Sequence, residues 1–126
     1  MKKTGIRCYR DLVVWQRAIE VAEASYGLAR GLPSGERFGL AQQIRKAGTS
    51  IPANIAEGHG REHRGDYLRF LSIAKGSLME LETHVLLAER LGYVGPEATS
   101  PLLSKTAEVS RMLSRLIAAL RRTGAV

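Results

Sequence analysis

Apolar residues recur every three or four positions in four segments of the chain, and short polar or glycine-containing stretches separate these segments. A period near 3.6 residues is typical of helices that bury one face. No segment alternates apolar and polar residues as a half-buried strand does. The pattern predicts an all-α protein, and the short connections favour an antiparallel, up-down-up-down four-helix bundle.

The four predicted helices cover most of the chain. The first spans residues 11–30, the second opens at Ser34, the third spans residues 66–91, and the fourth is secure over residues 101–122. Pro96 and Pro101 both suit a first helical turn, so the start of the fourth helix stays open. In the first helix the spacing predicts an inward stripe of Leu12, Trp15, Ile19, Ala22, Tyr26 and Ala29.

Residues at the helix ends support these boundaries. Asp11 and Ser34 are plausible N-caps, because their side-chain oxygens can accept a hydrogen bond from a free backbone N–H. Gly31 ends the first helix, and Gly92 suits a C-terminal cap of the third.

Pro52 lies in the middle of the second helix. A proline there lacks an N–H and clashes with the carbonyl four residues earlier, which belongs to Gly48. We expect a kink near Pro52. The alternative is a true break, with Ser50 capping a new short helix.

Ser50, Asn54 and Glu57 share one polar stripe that borders the apolar line of the second helix. On a helical wheel this stripe is about 80° wide, which puts it at a flank where helices or subunits meet. From the residue types alone, an ordinary solvated flank is the usual outcome.

The third helix carries more apolar residues than one bundle core can bury. Phe70, Ile73 and Leu87 lie outside its main stripe. A helix that is apolar over much of its circumference implies a second buried surface, so these residues predict an oligomer interface.

Nineteen Lys and Arg residues face twelve Asp and Glu residues, which gives the 126-residue chain a net charge of +7. Such an excess suggests an anionic partner, most often nucleic acid, although solubility alone is the alternative. Arg111, Arg115 and Arg122 fall within about 40° of one another on the fourth helix, opposite its apolar side. We expect nucleic-acid contacts from this stripe, with Glu108 as a possible neutralising partner. The predicted extension of the surface comprises Arg61, Arg64 and a basic arm of Lys2, Lys3, Arg7 and Arg10.

The remaining composition limits the setting. No apolar run approaches the roughly 20 residues that span a bilayer, and no signal peptide is apparent. Cys8 is the only cysteine, which suits a reducing cytoplasm. We expect one domain over residues 1–126, with flexible segments at 1–8 and 123–126, and no membrane association.

His59, Glu62 and His63 match the HxxEH pattern of a zinc peptidase. That pattern needs a stable helix, whereas this segment is rich in glycine and has no evident third ligand. His84 lies near Glu80 but has no nucleophile on a shared stripe. We therefore predict a non-enzyme without metal or cofactor.

The chain resembles a known family at several motifs. They are DLVVWQRA at residues 11–18, LPSGERFGLAQQIRKAGTSIPANIAEGHGR at 32–61, YLRFLSIAKGSLMELET at 67–83 and LGY at 91–93. These resemble the four-helix-bundle proteins encoded in intervening sequences of bacterial 23S ribosomal RNA genes, which are related to accessory proteins of diversity-generating retroelements. The run SIPANIAEG is the most specific motif. His59 departs from the family pattern, which usually has an aromatic residue there.

The resemblance implies an antiparallel four-helix bundle and a homo-oligomer, typically a pentameric ring. The best-studied relatives bind nucleic acid and a reverse transcriptase and have no known catalytic activity. Ser50, Asn54 and Glu57 lie in the signature run, which favours a polar network between helices or subunits over a solvated flank. The predicted function is a non-enzymatic homo-oligomer that binds RNA or DNA without strong sequence preference. The alternative is a protein-interaction scaffold or accessory subunit whose basic charge is incidental.

Overall fold

The computed structural model describes residues 5–124. Within this range the chain is all-α and contains no strand, which confirms the predicted fold class. The helices are α1 (Val13–Ala29), α2 (Leu40–His59), α3 (Arg64–Arg90) and α4 (Pro96–Gly124), with short 3-10 helices at Tyr9–Asp11 and Ser34–Glu36. The flexible segments predicted at 1–8 and 123–126 lie partly outside the described residues, and Thr123 and Gly124 belong to α4.

Helix packing is consistent with a four-helix bundle. α1 contacts α2 and α4, and α3 contacts the same two helices. Along α2 and α3 the contacts run in opposite order, since Gly58 lies against Tyr67 while Ser50 bonds to Ser77. This is the order expected of antiparallel neighbours, and the up-down-up-down course of the whole bundle stays a prediction. The fully buried large side chains are mainly Ile, Leu and Val from all four helices.

The core stripe of α1 is displaced by one position from the predicted one. Val14, Ala18, Val21, Ser25 and Leu28 are buried, whereas Trp15 and Ile19 are half-buried and Tyr26 is exposed. Both stripes have the same alternating spacing of three and four residues, so spacing alone cannot distinguish them. Of the predicted stripe, only Ala22 and Ala29 are buried; these small residues lie next to Val21 and Leu28 of the observed stripe.

The predicted helix starts also need correction. The Asp11 carboxylate accepts hydrogen bonds from the backbone N–H of Arg7 at 2.7 Å and of Cys8 at 3.4 Å, so it caps the first 3-10 helix. α1 itself begins two residues later, with Leu12 as N-cap. Ser34 opens a 3-10 helix and not α2.

Glu36 holds the start of α2. Its carboxylate accepts the backbone N–H of Leu40 at 2.9 Å and the hydroxyl of Tyr93 at 3.0 Å. The bond from Leu40, followed by the bond from Tyr93, lowers the pKa of Glu36 below its usual value. This carboxylate therefore ties the α1–α2 connection to the α3–α4 connection at the same end of the bundle.

α2 runs without interruption through Pro52, which excludes the alternative of a true break with Ser50 as a new cap. Thr49 donates its hydroxyl to the carbonyls of Arg45 at 3.1 Å and Lys46 at 3.2 Å. It does not bond the Gly48 carbonyl, which faces the missing N–H of Pro52. The kink near Pro52 stays a prediction.

The ends of α3 and α4 are well defined. Gly92 has a φ of 79° and donates to the Glu89 carbonyl at 3.0 Å, which confirms the predicted C-terminal cap. α4 begins at Pro96 and carries Pro101 inside it, which decides between the two possible starts. Two buried hydroxyls of α4 bond to carboxylates of α3, namely Thr99 to Glu89 and Thr106 to Glu82.

Candidate functional site

Arg111, Arg115 and Arg122 form an exposed basic stripe on α4. Val109 and Leu113 on the opposite side are fully buried. None of the three arginines forms an ion pair with any residue in the described range 5–124. Their exposure is as expected, and their predicted contact with nucleic acid stays a prediction.

Glu108 does not neutralise this stripe. Its carboxylate lies 3.8 Å from Nε of Arg17 on α1, and Arg17 also bonds Glu20 at 3.2 Å. The predicted pairing of Glu108 with Arg111 or Arg115 is therefore wrong, because the Glu108 carboxylate lies near Arg17 and forms no ion pair with either arginine. No carboxylate among residues 5–124 forms an ion pair with the stripe.

Arg61 lies in the turn between α2 and α3, Arg64 is the first residue of α3, and both are exposed. Arg61 donates to the Glu57 carboxylate at 2.7 Å, and its guanidinium carbon lies 4.8 Å from the centre of the Phe70 ring. The opposing charge of Glu57 reduces the potential that Arg61 offers to an anion. Arg64 has no ion-pair partner among residues 5–124 and is the better candidate for a phosphate contact.

Lys75 and Arg121 lie near the stripe and were not predicted from the sequence. Lys75 on α3 donates to the Ser114 hydroxyl on α4 at 2.9 Å. A surface cavity of about 230 Å³ between these helices is lined by Lys75 and Arg121, by Ser72 and Ser114, and by no carboxylate. The two cations come from different helices, and only the helix pairing brings them together. The one available signal was the position of Arg121 next to Arg122.

The basic arm lies only partly within the structure. Lys2 and Lys3 are outside the described residues. Arg7 and Arg10 are exposed, and the Arg10 guanidinium lies 5.5 Å from the centre of the Tyr9 ring. These two arginines therefore sit at the end of the bundle where α1 begins.

Ser50 and Asn54 belong to a polar cluster between α2 and α3. The hydroxyls of Ser50 and Ser77 are 2.8 Å apart, and Asn54 donates its side-chain amide to the Ser50 carbonyl and hydroxyl at 2.8 and 2.9 Å. Ser77, which the sequence analysis did not single out, is buried. Within one subunit Asn54 bonds its own helix, and Glu57 bonds only Arg61. Contacts of these two residues with another subunit stay a prediction.

The three residues predicted for an oligomer interface differ in their exposure. Ile73 and Leu87 are 41% and 44% exposed, whereas Phe70 is only 8% exposed. Phe70 packs against Gly58 and lies under the guanidinium groups of Arg61 and Arg69, so the subunit already covers it. The exposed large apolar side chains on α3 and at its C-cap are Ile73, Met79, Leu86, Leu87 and Leu91.

A second apolar surface lies between α1 and α2. A groove of about 350 Å³ is lined mainly by Trp15, Ile19, Pro52, Ala53 and Ala56. It adjoins another of about 490 Å³ that contains Tyr26. The sequence analysis missed this α1–α2 groove because it assigned Trp15, Ile19 and Tyr26 to the core.

Comparison with known proteins classifies the chain. A family model described as 23S rRNA-intervening sequence protein matches residues 10–115. The chain belongs to this family. This confirms the resemblance found in the sequence, while the relation to retroelement accessory proteins stays a prediction.

A solved structure supports the same classification. It is described as a protein with unknown function from the S23 ribosomal protein family of Bacteroides thetaiotaomicron VPI-5482. Our chain is similar to that structure, with a TM-score of 0.77 and 28% sequence identity. The match covers 82% of our chain and 97% of the Bacteroides chain. Functionally curated proteins give no match.

In this family member the HxxEH segment crosses the turn between α2 and α3. His59 ends α2, and His63 is the N-cap of α3, so the two histidines do not share one helix face. The His59 ring packs edge-on against Tyr67 with 5.8 Å between ring centres. Among residues 5–124, no group of three or more His, Cys, Asp or Glu side chains is placed to hold a metal ion.

The helices of this family member are also poor candidates for a membrane span. None of those described within residues 5–124 combines the necessary length with sufficient apolar character. His84 lies on α3 with Nε2 3.7 Å from the Glu80 carboxylate, one turn away on the same helix.

Proposed function

We propose that the protein is a non-enzymatic homo-oligomer that binds RNA or DNA through basic surfaces, without strong sequence preference, in the cytoplasm. One observation carries this proposal. Arg111, Arg115 and Arg122 are exposed on one side of α4, and no carboxylate within residues 5–124 lies within ion-pair distance of them. An uncompensated row of guanidinium groups is the usual electrostatic feature of a surface that contacts phosphates.

The neighbouring cations extend this surface. Lys75 and Arg121 line the adjoining α3–α4 cavity together with two serine hydroxyls. Guanidinium, ammonium and hydroxyl groups are the common donors to phosphate oxygens. Phosphate contacts fix the position of a strand but do not read its sequence, which is why we expect little sequence preference.

Oligomerisation increases the effect of a small basic stripe. One subunit offers only a few phosphate contacts, whereas a ring repeats the stripe around the assembly. Linked weak sites bind a long polyanion far more tightly than one site does, provided that the strand can reach them. The apolar surfaces supply a contact for such an assembly.

The two apolar surfaces support a specific mode of assembly. Ile73 and Leu87 lie on α3, whereas the groove that contains Trp15 and Ile19 lies between α1 and α2. If the α3 surface of one subunit packs into the groove of the next, the contact is heterologous. Heterologous contacts generate closed rings when the rotation closes, which agrees with the pentamer that the family resemblance implies.

The test of the basic stripe is a triple charge reversal, R111E/R115E/R122E, with oligomeric state checked by light scattering. Each phosphate contact to a single strand contributes about 0.7 to the slope of log affinity against log salt. We expect the variant to lose about 2 from that slope for each subunit that contacts the strand.

A matched control separates local from general charge effects. K46E/R90E changes the net charge by the same amount as R111E/R115E, and Lys46 and Arg90 are exposed on other helices. K46E/R90E should bind RNA and DNA more tightly than R111E/R115E does. A triple variant that keeps its assembly and binds RNA and DNA as well as the parent at low salt would show that this surface is the wrong one.

The second candidate function is a protein-interaction scaffold. The exposed apolar surface on α3 favours it, because large apolar patches mark sites of protein contact. The salt titration distinguishes the two functions, since a scaffold with incidental charge would show weak and shallow salt dependence with nucleic acid.

A further inference from the structure

The connection between α1 and α2 presents an exposed aromatic ring. Phe38 is 79% exposed, more than any other large apolar side chain in the described range. The guanidinium carbon of Arg37 lies 5.2 Å from the centre of its ring, within the range of a cation–π contact. Burial of this ring against a ligand or partner would therefore be favourable.

Three arginines surround a surface cavity next to this ring. Arg30 from the end of α1, Arg37 from the connection and Arg45 from α2 line a cavity of about 280 Å³, together with the hydroxyl-bearing Ser34. No acidic residue lines it. None of the three arginines forms an ion pair with any residue between 5 and 124.

The nearest carboxylates in the sequence are engaged or displaced. Glu36 accepts bonds from Leu40 and Tyr93, which hold it away from the cavity lining. Glu23 lines the groove that contains Tyr26, where it lies beside Arg30, but it does not line this cavity. The Arg45 side chain is held in place, since it donates from Nη2 to the Arg37 backbone carbonyl at 3.1 Å.

This combination suits one chemical class. Pockets that enclose small molecules measure about 300–1,000 Å³. The cavity lined by the three arginines is smaller, at about 280 Å³, so it suits a phosphate group better than a buried cofactor. Single-stranded nucleic acids are bound by cationic grooves that follow the backbone and by aromatic rings on which bases stack. We infer that Phe38 stacks on an unpaired base of a single strand, while Arg30, Arg37 and Arg45 hold an adjacent phosphate.

The inference rests on the proposed function and adds a substrate class to it. A duplex keeps its bases stacked inside the helix, so Phe38 can act on single strands but not on paired regions. A second copy of the chain is a poorer occupant, because covering the cavity with protein would desolvate three arginines that have no carboxylate partner in the described part of the chain.

The site is separate from the α4 stripe and can be tested alone. It lies where α1 ends and α2 begins, whereas Arg122 lies near the end of α4. The 20 residues of α2 span about 30 Å between the two ends of the bundle. Variants at one site should therefore leave the other intact.

The experiment uses the full chain and a 12-nucleotide single strand containing 2-aminopurine, whose fluorescence falls when the base stacks. The same sequence as a duplex is the comparison. F38A should weaken single-strand binding about 5- to 150-fold, the effect of losing one base–aromatic stack. F38L should behave like F38A although it keeps apolar bulk, and F38W should bind like the parent.

The arginines have their own readout. R37Q/R45Q should lower the salt slope for the single strand by about 1.4, while K46Q/R90Q, which removes the same charge outside the cavity, serves as the matched control. Light scattering on every variant reports the oligomeric state. F38L that binds like the parent overturns the inference. F38L that dissociates the assembly overturns it too, because Phe38 is then a subunit contact.

Failure of this inference and of the proposed function give different results. If R111E/R115E/R122E loses long RNA but F38L does not weaken the single strand, only the stacking site is wrong. If the α4 variant binds long RNA like the parent but F38L loses the single strand, only the stripe is wrong. A parent that binds neither long polymers nor the labelled oligonucleotide refutes both, and binding of an acidic peptide in their place identifies a protein partner.

Discussion

Gly48 provides the sharpest test of how α1 and α2 pack. A Cβ atom at this position would lie 2.5 Å from the Ser25 hydroxyl oxygen, 2.7 Å from the Ser25 Cβ and 3.6 Å from the Ala22 Cα. Optimal separations between carbon atoms are about 3.5–4.0 Å. Ser25 is fully buried and donates its hydroxyl to the Val21 carbonyl at 2.8 Å, so its side chain has little room to rotate away.

The magnitude of G48A follows from two opposing effects. Overpacking a well-packed core costs about 1–3 kcal/mol, because the helices must separate or the side chains leave their rotamers. Replacing a mid-helix glycine with alanine gains about 1 kcal/mol in helix propensity. We expect a net loss of roughly 1 kcal/mol in the free energy of unfolding, since the Ser25 Cβ cannot move without its helix.

Gly76 is the matched control for the helix-propensity gain. It lies inside α3, and a Cβ there would meet no atom within 4 Å. G76A should therefore gain about 0.5–1 kcal/mol, and the difference between the two variants measures the overpacking cost alone.

The assay is urea or thermal unfolding at one fixed protein concentration, because the stability of an oligomer depends on concentration. The combination S25G/G48A moves the Cβ atom from one helix to the other and should recover part of the loss. If G48A is as stable as G76A, the close approach of α1 and α2 at Gly48 is wrong.

Three further predictions concern the rest of the chain. Because the pKa of Glu36 is lowered, its bonds stabilise the fold above the usual pKa of 4.5, and this stabilisation is lost as pH falls through the lower pKa of the folded state. The stability difference between the parent and E36Q should therefore be full at pH 6 and shrink below about pH 4.5. A stability difference that does not change with pH would contradict this. N54A and S77A should each cost about 0.5–1.5 kcal/mol, more than E57A, which loses only an exposed pair worth about 0.2–0.5 kcal/mol; a larger loss in E57A within the assembly would place Glu57 at a subunit contact. I73E/L87E should dissociate the oligomer in light scattering, whereas R90E should not, and an intact assembly would refute the α3 surface as the interface.

The sequence predicted helix number and type well because each helix has a strong apolar period. α3 illustrates this, since the buried Leu71, Ala74, Leu78, Leu81 and Val85 follow one another at intervals of three and four residues. In α1 the prediction was displaced by one position, because Trp15 and Ile19 are large and apolar but lie at a groove. Their size favoured a position in the core, whereas the buried stripe contains the small residues Ala18 and Ser25.

The candidate sites were harder to predict than the helices. Arg111 and Arg115 belong to one helix, so their shared face follows from helical geometry. Lys75 and Ser114 come from different helices, and so do Arg30 and Arg45. Which residues meet across a bundle depends on the register of the helices and on loop conformation, which no local pattern of one sequence specifies.

The hydroxyl and ammonium bonds between α3 and α4 have a mechanical consequence. Lys75, Glu82 and Glu89 are spaced at seven residues along α3, and they bond Ser114, Thr106 and Thr99 on α4. Sliding α4 by one turn, about 5.4 Å, would break all three bonds together. α4 is therefore held in one register against α3, and the distances between its arginines and Lys75 are already fixed in the free subunit. A polyanion that binds this surface must adapt its own backbone to that spacing.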